Sequence, residues 1–222
     1  DYLGGKFFPL DETRGMYRVL VTNENQSMDM VDISRLQADS LEADLRLRDF
    51  TVNAVAASLH QPETIIDPLN GLVDLRQGVL RLCADDSLEN DPVRVIRAAR
   101  MALAYQLRLS PGMLGKIRNT AQKLVITSAE RKRDELFKIL DGNFPGTSIR
   151  LLETFGVLPF LLPNVAQLKG EKQSMPHTMD VFEHTLAIVN HLKGLRDLFI
   201  NPRNSLDDGG NLTIGLAAGK LG

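Results

Sequence analysis

The sequence predicts an α+β fold, with a strand-rich head followed by an all-helical remainder. Three observations carry that expectation. Up to Glu89, short alternating or β-branched runs are separated by Gly-, Asn- and Asp-containing turns; beyond it the pattern becomes helix–turn–helix and stays so. Charge changes at the same point: residues 1–90 hold 8 Lys or Arg against 16 Asp or Glu, residues 91–138 hold 11 against 4, and residues 139–222 hold 7 against 8. Asn90-Asp91-Pro92-Val93-Arg94-Val95-Ile96-Arg97-Ala98-Ala99-Arg100 marks the seam, with a helix-start signature and arginines three apart.

At 222 residues and 43% apolar content, the chain can bury one large core or two smaller ones. No run nears the roughly 18 apolar residues of a membrane span, so no membrane partner is expected. Cys83 is alone, which excludes a disulfide framework and a cysteine-rich zinc site; with no basic-then-apolar leader, a reducing cytoplasm is the default. The start at Asp1 and the end in Gly-Lys-Leu-Gly read as a piece of a longer protein. A basic helical middle beside an acidic head suits a polyanion on one side and divalent cations on the other. The competing reading is a solvated arginine surface.

In the head, Lys6–Leu10, Tyr17–Thr22 and Ser27–Ile33 read as strands, the last with Asp32 and Met30 on one face. An Asp inside an apolar strand is unfavourable unless a metal or an arginine uses its charge, or it ends in solvent. Ser40 can cap a short helix through Leu45. Arg46-Leu47-Arg48-Asp49-Phe50-Thr51-Val52-Asn53 then runs into a small-residue segment, read as a helix capped by Asp49. Arg48 and Asn53 there offer donors to a phosphate or ribose near a helix start. Thr64–Asp67 and Val79–Leu82 read as short strands, with Asn70-Gly71 as a tight turn.

Helices are expected over 92–105, 111–124, 129–140, 147–155 and 179–193, and a flexible loop over 201–211. At the first of these, Asp91 is placed to cap and Pro92 to fill the first helical position. No repeat of fixed period and no low-complexity tract is present.

Four stretches together resemble the class II tRNA nucleotidyltransferases and bacterial poly(A) polymerases: Arg48-Asp49-Phe50-Thr51-Val52-Asn53-Ala54, Asp67-Pro68-Leu69-Asn70-Gly71 with Asp74-Leu75, Asp91-Pro92-Val93-Arg94 with Arg97, and Ser128-Ala129-Glu130-Arg131 with Glu135-Leu136. Their order and spacing agree across roughly residues 30–140. The resemblance implies a nucleotidyltransferase head (residues 1–88), a helical neck that binds nucleotide and RNA (89–160), and a helical body (161–222). It implies template-independent addition of AMP or CMP to an RNA 3′ end, tRNA among the partners, with ATP or CTP as substrate and Mg²⁺ as cofactor. Arg48, Asp49 and Asn53 would meet the sugar and triphosphate. Asp91, Arg94 and Arg97 would form the base-reading helix, and Arg100, Arg131, Lys132 and Arg133 would face RNA.

The chemistry of base reading follows from donor and acceptor patterns. A carboxylate accepts from the exocyclic amine of adenine or cytosine, while guanine and uracil put a carbonyl oxygen there and repel it. Asp32 resembles the family's third metal carboxylate. The family's main Asp-x-Asp pair has no counterpart here, and Gly4-Gly5 leads into Lys6-Phe7 instead of the expected turn. That strand is expected upstream of Asp1, and the piece alone is not expected to catalyse. Leu47 replaces the first arginine of the signature, and Asn90 replaces a glutamate before Asp91.

In the body, His177–Leu186 resembles the opening helix of an HD phosphohydrolase domain. That makes His184, then His177 or His191, a metal-ligand candidate, although Gly219-Lys220 stands where a His-Asp pair would follow. A non-catalytic RNA-binding module and an HD-type phosphohydrolase are the alternatives.

Overall fold

The computed structural model describes residues 5–13, 15–22, 27–174 and 178–200. His177, the loop expected at 201–211 and the segment after Ala218 lie outside them. Strands β1 (Lys6–Asp11), β2 (Met16–Thr22) and β3 (Met28–Ser34) form an antiparallel sheet in chain order, close to the expected ranges. Register sets Arg18 opposite Asp32 and Val19 opposite Val31. No residue of the three strands is buried. Alternation of apolar residues was enough to make strands, but among the described residues nothing fully buries either face.

The sheet joins the rest through the segment after β3. Arg35 N donates to Gly15 O (3.1 Å), and Gln37 N donates to Asp44 Oδ1 (2.7 Å) on α1 (Leu41–Arg46). Ser40 caps α1, its hydroxyl accepting from Ala43 N as expected.

The helix expected after Asp49 does not form. Thr51–Asn53 make a single 3₁₀ turn, and the chain continues into β4 (Ala56–Ala57), which pairs with β5 (Ile65–Ile66). Tertiary pairing overrides helix here: Phe50 bridges Leu82, Thr51 N donates to Arg81 O, and the Phe50 ring is fully buried. Thr, Val and Asn in succession offer little helical propensity to resist.

The tight turn expected at Asn70-Gly71 opens a helix, α2 (Gly71–Gln77). Asp67 caps it, its two carboxylate oxygens accepting from Gly71 N and Leu72 N at 2.7 and 3.0 Å. A side chain at Gly71 would stand 2.0 Å from Thr51 O, so this glycine is what lets α2 press on the 3₁₀ turn. Buried Asp74 finishes the contact, accepting from Thr51 Oγ1 (2.7 Å) and Arg81 Nε (2.9 Å). Burial would raise the Asp74 carboxyl, but Arg81 and Thr51 outweigh it and hold it low. The Asp-Pro-x-x-Gly element thus supports the 3₁₀ turn that follows Arg48-Asp49.

Strand β6 (Val79–Leu80) pairs in parallel with β7 (Arg108–Leu109), linking the first half to the helices α3 (Ser87–Asn90), α4 (Arg94–Ala104), α5 (Met113–Ala121), α6 (Ala129–Asp141), α7 (Pro145–Thr154), α8 (Leu158–Leu161), α9 (Pro163–Ala166) and α10 (Val181–Ile200). One apolar cluster joins Phe50 and Leu80 to Ile96 and Ala99 of α4, Ile117 of α5, Ile139 of α6, Leu152 of α7 and Phe182 of α10. It crosses both boundaries expected at 88/89 and 160/161. At α10, Asp180 Oδ1 accepts from Glu183 N, and Asn190 Oδ1 accepts from Gly146 N where α7 and α10 touch. Among the described residues, no helix is long and apolar enough to cross a membrane.

Candidate nucleotide-binding site

A cleft of about 670 Å³ opens between the end of the sheet (Met16, Ser34, Arg35, Gln37), the segment carrying Asp44 to Asn53, and the junction of α3 and α4. Arg131 of α6 closes the remaining side. Arg48, Asp49, Asn53, Asp91, Arg94 and Arg97 all line it, so residues 49 positions apart in sequence converge on one space. So do Leu47 and Asn90, the two departures from the family pattern. Five arginines line it against three aspartates, which favours an anionic ligand.

Asp91 does not cap α4. The helix begins two residues later than expected, at Arg94, after a turn in which Arg94 N and Val95 N donate to the carbonyls of Asp91 and Pro92. No side chain caps it. The Asp91 carboxylate is therefore released from backbone duty. Its Oδ2 accepts from Arg131 Nη2 at 2.6 Å, while Oδ1 is enclosed and accepts from nothing among the described residues. A buried carboxylate oxygen without a donor is costly and calls for a functional explanation.

Arg94 binds the signature turn. Its Nη1 donates to Ser87 Oγ (2.6 Å) and Arg48 O (3.2 Å), and its Nη2 donates to Leu47 O (2.9 Å). Its Nε stands 3.7 Å from Asp91 Oδ2. Arg97 ties Asp49 to Glu135, with Nη1 at 2.9 Å from Asp49 Oδ2 and Nη2 at 3.1 Å from Glu135 Oε1. Asp49 Oδ1 also accepts from Phe50 N and Asn53 Nδ2. Arg100 Nε and Lys138 Nζ complete the cage on Glu135, each at 3.0 Å. Burial alone would raise the Glu135 carboxyl, but Arg97, Lys138 and Arg100 hold it below the usual range. Burial likewise opposes the charge on Arg97, and Asp49 and Glu135 outweigh it. The three arginines of α4 are thus engaged inward, and the solvated basic face that the spacing also allowed is not what this helix presents.

Arg48 is held by Asp44 through an ion pair of 3.0 Å. Arg35, Gln37 and Asp44 were not legible as site residues, since each sits in an unremarkable context; only the fold brings them to the cleft. Cys83 lies behind the site, where burial and then Asp49 push its thiol up to about 12, so it is a poor nucleophile.

Other expected residues lie elsewhere. Asp32 faces Arg18 in a two-pronged ion pair (2.6 and 2.7 Å) outside the cleft. The Arg18 hydrogen bond draws its carboxyl down. Of the two users of its charge that the strand allowed, the structure supplies the arginine. Arg100 is spent on Glu135, Lys132 donates to Leu124 O, and Arg133 pairs with neighbouring Asp134. His184 stands in the first turn of α10, and His191 Nδ1 lies 2.8 Å from Ala187 O. Among the described residues, no three His, Cys, Asp or Glu converge to hold a metal ion.

Residues 16–81 match the poly(A) polymerase head domain family, and residues 106–169 match the family described as the probable RNA- and SrmB-binding site of polymerase A. The chain is 38% identical over 195 residues to an A-adding tRNA nucleotidyltransferase of Deinococcus radiodurans, covering 86% of this chain and 43% of that protein. It is 42% identical over 139 residues to a CC-adding tRNA nucleotidyltransferase of Geobacter sulfurreducens, covering 63% and 31%. The fold matches the crystal structure of a Bacillus stearothermophilus CCA-adding enzyme in complex with CTP, at a TM-score of 0.62 and 27% identity over 73% of this chain and 42% of that one. The chain thus spans less than half the length of these relatives. With four motifs in order and two family matches that between them take in three of those motifs, the chain belongs to the class II tRNA nucleotidyltransferase and poly(A) polymerase family.

Proposed function

We propose that this chain selects the nucleotide in a template-independent RNA 3′-end nucleotidyltransferase, one that takes ATP or CTP and adds AMP or CMP to a tRNA-like end in the cytoplasm. The observation that carries the reading is the Asp91 carboxylate, under-satisfied and set beside Arg94 on the wall of an arginine-rich cleft. A carboxylate there accepts the exocyclic amine shared by adenine and cytosine, and the arginine's remaining N–H can donate to a ring nitrogen or carbonyl. Arg48 and Asn53 line the same cleft and would serve the sugar and phosphates. The relatives named as A-adding and CC-adding enzymes support the same substrate class.

Mg²⁺ is the expected cofactor of such a transfer, where it would lower the barrier to attack by the 3′-hydroxyl and neutralise the departing pyrophosphate. Asp32 is paired with Arg18, and among the described residues no ligand group of three converges, so these carboxylates do not fit a metal site. What the described residues support is binding and selection of the nucleotide.

Titration calorimetry with each nucleoside triphosphate tests the reading. ATP and CTP should bind about 10- to 100-fold more tightly than GTP and UTP, the range expected of one good base contact. Asp91→Ala should remove most of that preference. Equal affinity for all four triphosphates in the unaltered chain would sink the proposal.

A further inference from the structure

We infer that Arg131 is a positioning residue for base selection: it anchors one oxygen of Asp91 so that the carboxylate meets the base in a fixed orientation. The inference rests on the base-selecting reading above and assigns Arg131 a place in it, instead of the RNA contact that its basic neighbourhood suggests.

Arg131 sits in the first turn of α6, after Ser128, whose hydroxyl accepts from Arg131 N. A cation at that position opposes the helix dipole, so it is favourable only with an anion close by. The anion is Asp91, reached across 40 residues of sequence at 2.6 Å. Both side chains line the cleft.

The terminal torsion of an aspartate is broad, so its own side chain does not decide which way the oxygens face. Two cations compete for Oδ2, with Arg131 Nη2 at 2.6 Å and Arg94 Nε at 3.7 Å. While Arg131 holds Oδ2 from one side, that oxygen keeps a spare lone pair that can accept from a donor in the cleft. Without Arg131, the carboxylate is free to close on Arg94. The acceptor and the donor meant for the base would then satisfy each other, and the repulsion that rejects a carbonyl-bearing base would weaken.

The test compares the unaltered chain with Arg131→Ala, Arg131→Lys and Asp91→Ala. Affinities for ATP and GTP are measured by calorimetry, and RNA affinity is measured across a salt series. Arg131→Ala should shrink the ATP-over-GTP preference about tenfold, with Arg131→Lys restoring part of it and RNA affinity and its salt slope unchanged. An unchanged preference with weaker RNA binding and a salt slope smaller by about one would make Arg131 an RNA contact and overturn the inference. If the unaltered chain does not discriminate, the base-selecting reading falls and this inference with it. If Asp91→Ala abolishes discrimination and Arg131→Ala does not, only the role of Arg131 falls. Should Arg131→Ala fail to fold, Arg131→Gln, which keeps a donor without the charge, carries the same comparison.

Discussion

The three-stranded sheet and the helical body meet the same solvent with opposite solutions. No residue of β1, β2 or β3 is buried, whereas α4 alone buries six of its eleven residues. The sheet is ordered by backbone pairing and by cross-strand side chains, such as Arg18 directly opposite Asp32 or the diagonal stack of the Phe7 and Tyr17 rings. The body is ordered by a shared apolar core and by buried charge that is almost fully paired. The cleft lies where the two meet, with Met16 and Ser34 lining it from the sheet and Asp91, Arg94 and Arg97 from the helical side. Perturbations should therefore be severe on one side of the cleft and slight on the other.

The largest effect should come from Glu135→Ala. Glu135 is buried among Arg97, Arg100 and Lys138, and its removal leaves Arg97 half-buried with only Asp49 to answer it. Breaking such a buried arrangement costs about 3–5 kcal/mol, read as a drop in the urea midpoint. The same cage gives a pH signature. Because the folded carboxyl is held below its ordinary value of 4.5, its stabilisation is fully present above that value and is lost as pH falls through the lower folded value. Glu135→Gln should flatten this acid limb. An unchanged acid limb would mean that other carboxylates carry it.

These residues also show what could be read from the chain beforehand. The strands, the capped α1 and the helices from α4 onward follow from local periodicity and capping, which sequence displays directly. Arg48, Asp49, Asp91 and Arg94 were legible as a set because their motif spacing is itself a sequence property. What was not legible is long-range: Thr51 abandoning helix for a hydrogen bond to Arg81 O, Asp67 capping α2 across a proline, Arg35 arriving at the same cleft as Arg94. The role of Asp91 changed for the same reason. Local rules made it a cap, and only the turn that delays α4 to Arg94 frees its carboxylate.

Next in size is the contrast between cores. Leu152→Ala removes a fully buried side chain from the cluster between α7 and its neighbours and should cost about 2–5 kcal/mol. Val31→Ala, on a sheet position that is 47% exposed, should fall within about 0.5 kcal/mol of no change. Comparable losses at both positions would mean that the sheet is packed in solution.

The smallest effect, and the most informative about the cleft, should come from Asp32→Asn. Asp32 is half-exposed and bonded to Arg18 directly across the strand pair, a geometry that salt screens and that contributes little to stability. Its carboxyl is drawn down by Arg18, so the pair is complete at neutral pH and fades as pH falls through the acid range. The substitution should leave the unfolding midpoint unmoved at moderate salt and leave the affinity for ATP and CTP unmoved at any salt, since Asp32 does not line the cleft. Reversing both charges, with Asp32→Arg and Arg18→Asp together, should behave like the unaltered chain. If Asp32→Asn instead weakens nucleotide binding while the reversed pair fails to restore it, the carboxylate belongs to the site and not to the sheet, and the division between the two regions moves to β3.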